Sequence, residues 1–323
     1  MNEECVSRLG GEDENSIDDG AMAGTLEDFI RDKAVLRELT ESANKIIMIL
    51  GGSDSGKTTL IEHLAHSLAK DSTVGIVDLD MGQSHIGPPT TVAWGKVRGG
   101  FEGWSGVMTE DFYFTGTVTP LGSLLPAVTG AKLMTDKAAS SCDKVIIDTT
   151  GLIAEPAGRL LKQHKADIIC PDIILAVDRS GELDHILDPF LLQRRPRVCR
   201  LPVPDFIGAK SPSQRGCYRF EKIAAYFHGA DVIEVRTADI PLRMTGGPLR
   251  GDITRMRNRI VSFRNEHNRD ISLGFIEGID ADRETLQVLT PLKHGTRFTA
   301  VIVGKTEIDM TDGELRDASP VPC

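Results

Sequence analysis

The stretch KIIMILGGSDSGKT, residues 45–58, decides the fold. KIIMIL is apolar without polar alternation, the pattern of a strand buried on both faces of a parallel sheet. It runs into Gly51-Gly52-Ser53-Asp54-Ser55-Gly56-Lys57-Thr58, which matches GxxxxGK[ST] where a strand gives way to a helix. Glycines there let the loop wrap so that backbone N–H groups point inward at phosphates, and the helix N-terminus adds its positive end. Lys57 is placed to reach the β and γ phosphates, and the Thr58 hydroxyl, followed by Thr59, to hold Mg²⁺. The motif predicts a nucleoside triphosphate, ATP by default, with Mg²⁺ as the metal.

Working outward, TVGIVDLD (73–80), KVIIDTT (144–150) and DIILAVD (172–178) repeat the buried-strand pattern. Helical spacing fills residues 57–70, 120–139 and 155–167 between them. Apolar strands alternating with helices predict an α/β fold, a parallel sheet covered on both faces, over residues 45–230. Beyond it DVIEVR, ISLGFIEGID, TLQVLTPL and FTAVIVGKTEI are short, β-branched and punctuated by Gly, Pro and Asp, so 231–323 reads as a small β-rich domain. Residues 1–44 divide into an acidic segment, 1–24, expected to be disordered, and one amphipathic helix from Thr25 to Ala43.

The net charge of -10 is unevenly placed. Residues 1–44 hold 12 acidic and 4 basic side chains, so the remainder is close to neutral, and residues 193–222 hold eight Lys or Arg against two acids. An acidic total therefore does not exclude a polyanionic partner. The six cysteines are scattered without CxxC or zinc spacing, which implies a reducing compartment. No apolar run of about 18 residues exists to cross a membrane and no signal-peptide pattern opens the chain. A cytoplasmic protein without a membrane partner is expected.

A phosphate loop leaves the destination of the γ-phosphoryl group open among a GTPase switch, a hydrolytic ATPase and a kinase. A guanine-reading NKxD late in the sheet is absent from the sequence. In IVDLDMGQSHIGPP (76–89), Asp80 ends the second strand, where ligands of a parallel sheet gather, and Asp78 lies one strand step deeper on the same side. A carboxylate at the strand tip can hold Mg²⁺ or its waters, or accept the proton of an attacking hydroxyl. Gln83 is placed to orient the acceptor or a water. Asp148, ending KVIIDTT, is a second candidate for the metal in the manner of a Walker B acid.

The order GGSDSGKTTL, then Asp80 in DLDMGQSHIGPP 23 residues after Lys57, then YFTGTVTP (113–120) and DTTG (148–151) resembles the polynucleotide 5'-hydroxyl kinases. These are P-loop enzymes that phosphorylate RNA or DNA 5' ends in RNA processing. The resemblance covers residues 45–230, and more faintly 273–292. It implies that Asp80 activates the 5'-hydroxyl, that Lys57 and Thr58 hold phosphate and Mg²⁺, and that a T-x-G-W clasp, here Thr149-Thr150-Gly151-Leu152, lies over the site. Leucine replaces tryptophan, so indole stacking is lost there or moved. It further implies a lid, about 193–228, carrying RxxxR before an aromatic-containing helix. Arg215 and Arg219 in SPSQRGCYRFEKIAAYFHG have that spacing, with Tyr226 and Phe227 following. Such arginines stabilise charge on the moving phosphoryl group. Eukaryotic members carry an added N-terminal β domain, so this chain looks like a compact prokaryotic-type member.

His63, His66 and His164 fall on predicted helices and read as structural; His85 and His228 lie near the site. Trp94 and Trp104 read as core, and Glu110 and Asp111 as the end of a loop. The expected activity is ATP- and Mg²⁺-dependent phosphorylation of RNA or DNA 5'-hydroxyl ends. The rivals are an ATP-binding module of a processing complex, for which Leu152 speaks, and a hydrolytic ATPase or GTPase. Protein partners would dock on the acidic tail or the β-rich domain.

Overall fold

The computed structural model describes residues 24–41, 43–245, 253–308 and 315–317. The disorder expected for residues 1–24 falls almost wholly outside them. The chain opens with α1 (Leu26–Phe29) and α2 (Lys33–Thr40). These stand where a single helix is expected. The break has a local cause: Ile30 is extended at φ -118°, and the Asp32 carboxylate caps α2 by accepting the Ala34 N–H at 2.8 Å.

The first sheet follows as β1 (Ile46–Gly51), α3 (Lys57–Leu68), β2 (Val74–Leu79), β3 (Thr91–Val97), β4 (Val107–Phe114), α4 (Leu124–Ser141), β5 (Lys144–Thr149), α5 (Ala157–Ile169), β6 (Ile173–Val177), α6 (Asp184–Leu187), β7 (Arg197–Leu201) and α7 (Pro212–Tyr226). Its order is β4-β3-β2-β5-β1-β6-β7. The strands from β2 to β7 in that order run parallel, while β3 and β4 add an antiparallel hairpin at one edge. That hairpin was not legible as strands, and it places Glu110 and Asp111 inside β4 rather than at a loop end. Edge exposure explains their charge: Glu110 pairs with Arg98 at 3.1 Å and Asp111 pairs with Lys137.

Side-chain alternation gives the sheet two cores. Ile47, Ile49, Ile76 and Ile146 pack under α3 with Phe29 and Leu39 of the N-terminal helices. Met48, Leu50, Val77, Leu79, Val145 and Ile147 face α4 and α5. Both faces are dry, which is what continuous apolar runs require.

The second sheet holds β8 (Asp231–Arg236), β9 (Leu242–Met244), β10 (Arg259–Arg264), β11 (Asp270–Asp280), β12 (Thr285–Thr290), β13 (Ala300–Ile308) and β14 (Leu315–Asp317), in the order β14-β13-β10-β11-β12-β8 with β9 beside β13. The two sheets share a core of Phe114 from β4, Ile223 of α7, Phe227 just beyond it, and Ile260, Leu273 and Ile302. At this junction the Asp270 carboxylate accepts from Phe114 N–H at 2.9 Å, Ser262 Oγ at 2.7 Å and Arg264 Nε at 2.8 Å. No helix among the described residues is long and apolar enough to cross a membrane.

The Arg264 and Asp270 side chains are 6% and 1% exposed, so removing one leaves the other buried and uncompensated. Asp270→Ala is expected to lower unfolding free energy by about 3–5 kcal/mol in urea titration. A loss under about 1 kcal/mol would show that water replaces the carboxylate there.

Candidate active site

The phosphate loop is held open by its own backbone. Asp54 (φ 53°) and Gly56 (φ 87°) adopt left-handed conformations, which turn successive N–H groups toward one side. Lys57 begins α3, and its Nζ donates to Gly52 O at 2.6 Å, arching over the loop where a phosphate belongs. Thr58 and Thr59 follow in the first turn. Ser55 Oγ is buried without a hydrogen-bond partner. Burial holds the Lys57 amine below the usual lysine range, opposed by Asp148, Asp80 and Asp54.

The clasp lies directly on this loop. A side chain at Gly151 would sit 2.8 Å from Ser53 N, so only glycine lets the two backbones meet. Leu152, where the resemblance expects tryptophan, is half-buried and packs with Ile153 against the core under α4 and α5. Thr150 is held from below by Lys162, whose Nζ donates to Thr150 O and, at 3.3 Å, to Thr150 Oγ1.

Three carboxylates gather at the ends of β2 and β5. Asp78 accepts four bonds, from Asp80 N–H (2.9 Å), Ser84 Oγ (3.1 Å), His85 N–H (2.6 Å) and Ile86 N–H (3.0 Å). It therefore shapes the loop after β2. Asp80 Oδ1 accepts the Gly82 and Gln83 N–H groups, both at 3.0 Å. Asp148 is buried, and its Oδ1 has no hydrogen-bond partner. Such an orphaned carboxylate oxygen, close enough to the loop to interact with the Lys57 amine, fits a divalent cation or its water. Burial raises Asp148 to about 6 and Asp78 to about 7, the latter pushed further by Asp148.

The arm over the site is α7. The basic residues of 193–222 divide between the turn before β7, the edge strand β7, the loop after it and this helix. Ser211 caps α7 by accepting Gln214 N–H at 3.2 Å in a capping box. Arg215 Nη2 donates to Asp54 Oδ2 at 2.5 Å, so the helix is latched to the phosphate loop. One turn on, Arg219 is partly buried with its Nε unpartnered. The Gln83 amide donates to Arg215 O at 3.1 Å, and Tyr218 Oη donates to Ser84 O at 2.9 Å, tying α7 to the loop after β2. His85 stacks on Trp104 with ring centroids 4.5 Å apart, and Trp104 Nε1 donates to Glu62 at 2.6 Å. Burial, with Lys210 and Lys222 nearby, lowers His85 to about 4. Trp94 is core as expected; His164 and His228 are exposed.

Two residues escaped the sequence reading. Lys162 and Lys165 both have 0% exposure on the apolar face of α5 beside Leu161, Ala166 and Ile169. Lys165 Nζ has no hydrogen-bond partner. Lysines at i and i+3 on the buried stripe of a helix were the available signal. Burial depresses Lys162 far below the usual range and Lys165 to about 8, against the pull of Asp80, Asp148 and Asp78 on Lys165. The unfolded chain thus binds more protons than the folded one between about 8 and 10.5, and stability from this group rises with pH across that window. Lys165→Met is expected to resist denaturant better than wild type near neutral pH, with the gap closing as pH approaches 10. A variant weaker than wild type near neutral pH would mean that the amine is needed to hold the carboxylates together.

A family model described as the mRNA cleavage and polyadenylation factor CLP1 P-loop matches residues 51–229. A protein of Methanocaldococcus jannaschii named polyribonucleotide 5'-hydroxyl-kinase is 30% identical over 322 residues, covering 83% of this chain and 88% of its own. Proteins of the same name from Thermococcus kodakarensis and Pyrococcus furiosus are 34% and 26% identical, covering 70% and 88% of this chain and 65% and 93% of theirs. The solved structure of wild-type Clp1p with Pcf11p is similar in fold, with a TM-score of 0.68 at 14% identity over 85% of this chain and 77% of that one. With loop, clasp and α7 all inside the matched span, and a 30% identical relative aligned over most of both lengths, the chain belongs to the CLP1 P-loop family.

Proposed function

We propose that the protein transfers the γ-phosphoryl group of ATP to the 5'-hydroxyl end of RNA. The observation that carries this reading is the convergence, on one phosphate loop, of a strand-tip carboxylate, Asp80, near enough to act on Lys57, and an arginine from a crossing helix, Arg215, latched to Asp54. A bare nucleotide-binding module needs neither. The named activity of the three archaeal relatives supports it.

In this reading the loop N–H groups and Lys57 neutralise the triphosphate. Asp80, its Oδ1 already fixed by Gly82 and Gln83, accepts the proton of the 5'-hydroxyl. Gln83 holds the α7 backbone and so sets the distance of Arg215 from the acceptor. Arg215, exchanging Asp54 for phosphoryl oxygens, and Arg219, one turn further, stabilise charge on the group in transit. Thr150 and Gly151 close the clasp side and limit access of water. Thr58, with Asp148 or Asp80, would hold Mg²⁺, which would supply charge neutralisation along the triphosphate. Lys210, exposed just before α7, and the half-buried Lys222 on it offer contacts to RNA phosphates, which give affinity and salt dependence rather than sequence choice.

Transfer of labelled γ-phosphate from ATP to 5'-hydroxyl RNA and DNA oligonucleotides tests this directly. Asp80→Asn is expected to cut kcat by on the order of 10²–10⁴ while ATP affinity holds. Arg215→Ala is expected to cost on the order of 10³ in kcat, and Lys57→Ala to lose transfer altogether. Wild-type protein that binds ATP and transfers to neither strand would identify a binding module, the reading that leucine in place of the clasp tryptophan favours. Turnover of ATP with no acceptor requirement would identify a hydrolase.

A further inference from the structure

The sheet order gives a bound nucleotide a direction. β1, which feeds the phosphate loop, has β5 and then β2 on one side and β6 and then β7 on the other. A triphosphate seated on Gly51 to Thr58 with its γ end toward Asp148 and Asp80 must carry its ribose and base the opposite way, over the ends of β6 and β7. The chain leaving β7 there forms a turn, Pro204-Asp205-Phe206-Ile207, closed by Ile207 N–H donating to Pro204 O at 3.1 Å.

This turn abuts the phosphate loop. A side chain at Gly56 would meet Ile207 Cδ1 at 3.0 Å and Phe29 Cε1 at 3.2 Å, so both residues line the start of α3. Ile207 and Phe29 are packed inward; Phe206 is not. It is 44% exposed, and among the described residues it is the one Phe, Tyr or Trp that is exposed rather than buried or half-buried. Its position is nevertheless fixed. Phe29 meets it edge-on, with centroids 6.3 Å apart and planes at 87°, and Gly24 lies so close that any side chain there would collide with the ring. An exposed apolar ring held rigid costs no ordering when a flat ligand covers it.

We propose that Phe206 is the stacking platform for the base of the nucleoside triphosphate, braced by Phe29 and the turn at Gly24. This rests on the nucleotide-binding reading above. It also gives a role to α1, which the chemistry of the acceptor side leaves unused: α1 supplies the brace. Stacking uses the face that adenine and guanine share, so the platform serves ATP and GTP alike.

The test measures binding of ATP, GTP and inorganic tripolyphosphate to the full chain, in wild type, Phe206→Ala, Phe206→Trp and Lys57→Ala, with RNA KM beside it. Phe206→Ala is expected to weaken ATP and GTP about tenfold and tripolyphosphate by less than about twofold. Phe206→Trp is expected to keep ATP affinity and to show indole quenching when ATP is added. Unchanged ATP affinity in Phe206→Ala overturns the proposal. So does an equal loss for tripolyphosphate, which would make Phe206 a support for α3, or a rise confined to the RNA KM, which would assign the ring to the acceptor strand. Lys57→Ala keeps the two readings apart: loss of all three ligands upholds the phosphate loop whatever Phe206 shows, and unaltered ATP binding would sink the nucleotide reading itself.

Discussion

The structure depends on concentrating charge in a place with little water. Asp78, Asp80 and Asp148 share the ends of two adjacent strands with Lys57, Lys162 and Lys165, of which all but Asp80 are buried. Desolvation is the largest influence on each of those five, raising the acids and lowering the amines. No single pair cancels this cost. It is met by backbone: Asp78 takes three N–H donors, Asp80 takes two, and Lys162 finds the Thr150 carbonyl. Every one of those backbone groups sits where a strand has just ended and its amides are free to turn. The dry, two-sided sheet is what fixes these ends relative to one another.

The helix α7 makes this charged region responsive to the rest of the chain. Its first half is attached to the phosphate loop and to the loop after β2, through Arg215, Gln83 and Tyr218. Its last turn belongs to the second sheet: Ile223 and Phe227 enter the shared core, and Tyr226 Oη accepts the Leu273 N–H at 2.9 Å. One rigid element therefore connects the site to a β-rich unit that contributes none of the phosphate-loop, clasp or strand-tip residues. Apolar burial holds one end of α7, while a part-buried ion pair and two hydrogen bonds hold the other, polar contacts that a bound phosphate can replace. Opening over the phosphate loop is thus cheaper than detachment from the second sheet.

The phosphate loop was legible because its chemistry is local: eight consecutive residues specify the turn, the donors and the helix start. Asp80, Asp148 and the Arg215–Arg219 spacing were legible for a similar reason, since strand tips and one helix face are set by periods of two and 3.6 residues. The β-rich character of the second unit followed from its β-branched residues and breakers. The partition of 25–43 into two helices did not follow from period alone, because the Asp32 cap interrupts a pattern that otherwise continues.

Partnership across the sequence was decided only by tertiary structure. That β3 and β4 form an antiparallel edge depends on the chain reversing at 80–90, where the Thr90 N–H bonds back to Met81 O, and not on strand composition. Arg215 meets Asp54 161 positions away, and Lys162 reaches under the clasp, contacts that no spacing encodes. Leu152 reads in sequence as a missing indole; in three dimensions it lies half-buried against the core under α4 and α5. Phe206 and Phe29 look like ordinary apolar residues until the sheet order sets them on the side of the phosphate loop opposite the carboxylates. Sequence determined which groups were available and which way short elements present them. Only the folded sheet, whose strand order is fixed by burial on both faces, determined which of those groups meet.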